Sequence, residues 1–173
     1  IDHTTISGSS TTTWNPTSID QSYDNLYLTI SARSDRSSTS LDSLWMRFNS
    51  DSGNNYSSTG LEAGSSSVGS NRNGSTNKIE RLQIPSDGRV TGTSIFGSIT
   101  VWIPNYTNTV GYKQVLIKSA IETYDWGDWK WQLVPAAGLW DSTSAITEIE
   151  MFPQNGDNLK ANSSFTLYGI NGV

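Results

Sequence analysis

Apolar and polar residues alternate along most of this chain. Leu26, Leu28, Ile30 and Ala32 fall on one side of an extended segment, and Tyr27, Thr29, Ser31 and Arg33 on the other, because successive side chains of a strand point to opposite faces. Leu44, Met46 and Phe48 alternate in the same way with Ser43, Trp45 and Arg47. The run Asn49-Ser50-Asp51-Ser52-Gly53-Asn54-Asn55 that follows is dense in turn formers, so the chain is expected to reverse there. Further strands are read at 79–84, ended by Pro85, at 96–103, ended by Pro104, and at 115–121, 129–134, 146–152 and 165–170. Proline suits the end of a strand because it has no N–H to give to the ladder. Helical spacing is absent, except that residues 139–146 are read as holding one short helical turn capped by Asp141 or Ser142. Residues 64–77, rich in Gly, Ser and Asn, offer little to bury and are expected to form a long exposed loop.

Eight to ten short strands separated by Gly, Asn and Ser turns describe an all-β, antiparallel β-sandwich, jelly-roll-like in type. A length of 173 residues suits one such domain spanning 1–173. No repeat of fixed period runs through the chain, which sets solenoids and propellers aside.

Composition narrows the function. Seven Trp, seven Tyr and four Phe with a net charge of only −5 are unlike a disordered chain, which has few aromatics and high charge. A pI near 4.7 and scattered basic residues argue against a nucleic-acid partner, which needs clustered Lys and Arg. No apolar run approaches the roughly 20 residues that span a bilayer, so no membrane is expected. The chain opens on Ile1 rather than Met, which leaves room for residues upstream.

Chemistry is sparse. Without Cys there is no disulfide, thiolate metal site or thiol nucleophile. The only histidine, His3, lies at a terminus expected to fray, so a Ser-His-Asp arrangement lacks its base. A zinc site would have to be built mostly from carboxylates; no metal and no cofactor are expected. Glycoside hydrolysis needs two carboxylates across a cleft, and Asp125 with Asp128, or Glu148 with Glu150, satisfy that on spacing alone. Glu148 and Glu150 are two apart and are expected on one solvated sheet face. Asp51, Asn54 and Asn55 around Gly53 lack the spacing of an EF-hand loop and read as a turn. Four Asn-X-Ser/Thr sequences, at Asn55, Asn73, Asn105 and Asn162, match a glycosylation acceptor, a pattern that chance supplies in so Asn- and Ser-rich a chain.

The segment Tyr124-Asp125-Trp126-Gly127-Asp128-Trp129-Lys130-Trp131 interleaves four large aromatics with charges. Tyr124, Trp126, Trp129 and Trp131 are the candidate binding residues: rings bury large area at small entropic cost, in the core, at a subunit interface or against a glycan.

Several blocks, in order, resemble a family of short virion structural proteins of tailed bacteriophages. They are the run from Tyr23 to Ser34, Leu44-Trp45-Met46-Arg47-Phe48-Asn49 with Asp51-Ser52-Gly53-Asn54-Asn55-Tyr56, Ile103-Pro104-Asn105-Tyr106-Thr107 before Lys113, Gly138-Leu139-Trp140 before Ile146-Thr147-Glu148-Ile149, and Ser163-Ser164-Phe165-Thr166-Leu167-Tyr168-Gly169-Ile170. The resemblance implies a β-sandwich on the outer surface of the virion without enzymatic activity. The expectation drawn from it is a capsid decoration (cement) protein, a homotrimer bound to the major capsid protein. The alternatives are a tail-fibre or tail-tip domain that stacks host glycans on Trp126, Trp129 and Trp131, and, more remotely, a polysaccharide-degrading enzyme using Asp125 and Asp128.

Overall fold

The alternating segments pair into two antiparallel sheets in the computed structural model of the chain, which describes residues 1–8, 11–64, 67–88, 95–125 and 128–172, with residues 124, 125 and 128–131 by their backbone alone. The strands are β1 (Asp2–Thr5), β2 (Asn25–Ala32), β3 (Leu41–Phe48), β4 (Tyr56–Gly64), β5 (Ser67–Thr76), β6 (Ile79–Pro85), β7 (Gly97–Ile103), β8 (Lys113–Asp125), β9 (Asp128–Trp140), β10 (Ile149–Pro153) and β11 (Ser164–Ile170). The larger sheet runs β1-β11-β2-β7-β8-β9-β4-β5 and the smaller β10-β3-β6. Trp14 extends the smaller sheet. Its N–H and carbonyl each bond the backbone of Met151 at 2.8 Å, and bridges from Thr11 to Leu159 and from Thr17 to Glu148 flank it.

Counted in chain order, eight segments make the sandwich: β1, residues 11–17, β2, β3, β6, β7, β10 and β11. The first, eighth, third and sixth lie side by side in one sheet, and the second, seventh, fourth and fifth in the other. That is the order of a jelly roll. The hairpins β4–β5 and β8–β9 are insertions in this frame, and both lengthen the larger sheet beyond β7.

The alternation read in the sequence is what closes the core. Leu26, Leu28, Ile30, Val101, Ile103, Ile117, Phe165 and Leu167 from the larger sheet join Leu44, Met46, Phe48, Ile79, Leu82 and Met151 from the smaller in one buried cluster. Each such side chain contributes about 1.5–3 kcal/mol by leaving water. Gly138 lets β6 lie close on β9, since a Cβ there would sit 2.7 Å from Ile79 Cγ2 and 2.8 Å from Val115 Cγ2. Arg33, expected on the outer face, is instead just beyond the end of β2 and fully buried.

The loop expected over residues 64–77 is replaced, in its described part, by a strand. Ser67–Thr76 form β5, paired along β4 from Gly64 opposite Ser67 to Tyr56 opposite Thr76, although Ser67 through Arg72 are all exposed. A strand needs a backbone partner, and β4 supplies a free edge; burial of side chains is not required. The amino terminus does not fray either. β1 pairs with β11, His3 opposite Thr166, and the Ile1 ammonium donates to the Leu167 carbonyl at 2.8 Å. Residues 139–146 contain no helical turn: Leu139 and Trp140 complete β9. The backbone after them is bound by side chains. The Asn49 amide donates to the Ala145 carbonyl at 2.7 Å and its oxygen accepts from the N–H groups of Thr147 and Glu148 at 2.8 and 3.1 Å, while the Lys113 ammonium donates to the Thr143 carbonyl at 3.1 Å. Backbone groups satisfied this way gain nothing from helix formation.

Candidate binding face on the larger sheet

Every second residue of the larger sheet turns away from the core, and the register lines these residues up in rows across the strands. One row runs Tyr168, Tyr27, Trp102, Leu116, Ala137. The next runs His3, Thr166, Thr29, Thr100, Lys118, Pro135. A third begins Thr5, Ser164, Ser31, Ser98 and continues Ala120, Leu133, Ala63, Val68.

The rows change character where the inserted strands begin. On β1, β11, β2 and β7 they are aromatic and hydroxylic. Tyr27 lies between the other two rings, its centroid 6.4 Å from that of Tyr168 and 6.3 Å from that of Trp102, with planes inclined by 37° and 54°. The adjacent row carries Thr166, Thr29 and Thr100, and His3 Nδ1 lies 2.8 Å from the Thr166 hydroxyl. On β8, β9, β4 and β5 the outward residues include, besides Lys118, several exposed aliphatics: Leu116 is 48% exposed, Leu133 55%, Leu61 54% and Val68 76%. Ala120, Ile121, Glu122, Gln132 and Leu133 line a shallow depression of about 400 Å³ beside them.

The aromatic segment read from the sequence lies at the end of the β8–β9 hairpin. The backbone register sets Tyr124 opposite Trp129, Glu122 opposite Trp131 and Asp125 opposite Asp128. Trp126, and the side chains of Tyr124, Asp125, Asp128, Trp129 and Trp131, lie outside the described residues.

The other carboxylate pair divides between two networks. Glu148 accepts from the Asn15 amide at 2.7 Å and the Ser50 hydroxyl at 2.8 Å, whereas Glu150 faces Arg47 at 3.6 Å. Both are half-buried rather than solvated. On the outer face of the smaller sheet the protein's own cations cover the rings: Lys78 Nζ lies 4.1 Å from the centroid of Trp45, and the Arg47 guanidinium 4.7 Å from that of Phe152, which leaves those π faces engaged. The Asp51 cluster is a turn, as its spacing suggests. Burial pushes the Asp51 carboxyl up, but donors from Trp140, Asn55 and Gly53 outweigh it and hold the group below the ordinary carboxylate range; the Trp140 Nε1–H donates at 2.7 Å.

Sequence reasoning did not single out Tyr27, Trp102 and Tyr168 as a site. Alternation puts each on the outer side of its own strand, but nothing in the chain states that residues 27, 102 and 168 are neighbours. Compared with protein-family models, curated proteins and solved structures, the chain matches none.

Proposed function

We propose that this chain is a virion structural protein of a tailed bacteriophage, a capsid decoration protein that sits as a homotrimer on the outer surface of the shell and ties major capsid subunits together without chemistry of its own. The sequence blocks that resemble such proteins supply the class. The observation that carries the mode of action is the aliphatic patch of Leu61, Val68, Leu116 and Leu133 on the inserted strands. These four side chains are exposed and lie outside the core, and exposed apolar side chains gathered on one face are a mark of a protein interface.

Mass action then accounts for the effect on the particle. A protein that binds the assembled shell and not its dissociated subunits stabilises the shell by about 2.7 kcal/mol per site at a hundredfold excess over Kd. Particles stripped of the protein are expected to lose resistance to heat and osmotic shock, and added wild-type chain to restore it. The double variant Leu61→Glu/Leu133→Glu, in which both side chains are more than half exposed, should fold normally yet fail to restore resistance. Equal rescue by the variant removes the patch from the mechanism; unchanged resistance of stripped particles removes the decoration role.

A further inference from the structure

We infer that the rows on β11, β2 and β7 form a binding platform for a neutral, soluble glycan chain. This stands on a different half of the sheet from the aliphatic patch and does not rest on the decoration reading.

The argument begins with the side-chain types. A pyranose ring has apolar C–H faces and a rim of hydroxyls, so a receptor needs flat apolar surface with hydrogen-bonding groups alongside. Tyr168, Tyr27 and Trp102 provide the first, one ring per strand, at centroid spacings of 6.4 and 6.3 Å. The hydroxyls of Thr166, Thr29 and Thr100 provide the second, one row away on the same three strands. A chain crossing the strands meets three rings in succession with hydroxyls along one flank. The Thr166 hydroxyl already meets His3, but the other polar atoms are free to serve it: Tyr27, Thr29, Thr100, Trp102 and Tyr168 make no side-chain hydrogen bond among the described residues.

Charge selects the class of ligand. Neither row carries a charged side chain on β11, β2 or β7, and the nearest in register are His3 at one end and Lys118 at the other. Among the described residues an anionic polymer would meet only Lys118 beside Thr100 and His3 beside Thr166, at the two ends of one row, rather than a track of cations along it; a neutral glycan needs none. The tilt of the rings selects the form. Planes inclined by 37° and 54° cannot all lie flat on a crystalline surface, whereas a single soluble chain can turn with them.

The test is a glycan array of neutral and anionic saccharides probed with the full chain, then affinity electrophoresis in the soluble polymers selected, beside pull-down on microcrystalline cellulose. The expected result is binding to a neutral soluble saccharide that persists at about 0.5 M salt, where charge attraction is screened. Trp102→Ala should raise its Kd at least roughly tenfold, the loss of one stacking anchor. Thr29→Val with Thr100→Val keeps the shape of the face and should weaken binding as well, while Leu133→Glu on the aliphatic half should leave it unchanged. Tyr168→Ala, at a side chain 45% exposed, gives a second ring deletion should Trp102→Ala alter the melting curve. No saccharide bound, binding confined to anionic polymers and lost in salt, binding to crystalline cellulose alone, or neutral binding that survives both ring deletions would each overturn the proposal.

Discussion

Asp87 sits between two cations, with Arg33 Nε 2.8 Å from one carboxylate oxygen and Lys160 Nζ 2.7 Å from the other. The three residues lie far apart in the chain and fasten the end of β2, the turn after β6 and the approach to β11. Burial pushes the Asp87 carboxyl up, but the hydrogen bonds and charges of Lys160 and Arg33 more than offset it, so its pKa lies below the ordinary 3.8. The consequence for stability has a definite sign. A depressed folded pKa contributes stability that is present above the unfolded value and fades as pH falls through the folded one. Asp87→Asn should therefore cost about 3 kcal/mol near neutrality, since the buried Arg33 loses its carboxylate, and the gap to wild type should close as pH falls below about 3.8. Urea titrations of both proteins at several pH values check this; a gap that persists unchanged into acid would assign the cost to shape rather than charge.

At the scale of elements, the two inserted hairpins decide what the larger sheet presents. β9 is an interior strand and yet contains Pro135, whose ring lacks the N–H a two-sided strand would use. The register accommodates this. Pro135 pairs with Lys118 on β8, while toward β4 the pairs step from Gly60 opposite Ala136 to Ala63 opposite Leu133, so the missing donor falls in a gap of the ladder. The hairpin is anchored by its lower part: Val115, Ile117, Val134 and Ala136 belong to the core. Replacing residues 124–129 by Asn-Gly, a type I′ turn between the paired Thr123 and Lys130, should thus leave the fold intact, with a melting temperature within about 5 °C of wild type. A collapse of the circular dichroism signal would show the aromatic segment to be structural.

At the scale of the whole molecule, the jelly roll forms a frame of two sheets from eight segments spread along the chain, and the insertions widen one side of it into an extended face. The two proposals divide this face, the aliphatic side chains going to the proposed capsid contact and the aromatic and hydroxylic rows to the proposed glycan. The proposed homotrimer predicts sedimentation at three times the 18.9 kDa chain mass, dissociating on dilution as mass action requires. A monomer at all concentrations would exclude the trimer while leaving the shell contact to be tested on particles.

The period-two alternation in residues 26–32, 44–48, 99–103, 115–121 and 165–170 is a local property, so the strands there and the all-β class were legible in the sequence: each residue's side follows from its neighbours' sides. The turn at Asp51 was legible for the same reason. Three local features escaped because pairing partners, not local composition, set them. The edge of β4 makes a strand of exposed Ser, Gly and Asn, the Asn49 side chain takes the backbone groups that a helical turn at 139–146 would have used, and β11 holds the amino terminus. The face itself belongs wholly to the tertiary structure. Tyr168, Tyr27 and Trp102 become a row only when β11, β2 and β7 pair in register, and Leu61, Leu133 and Val68 a patch only when both hairpins join one sheet. Alternation tells a residue which side it is on; only ladder pairing tells it beside whom.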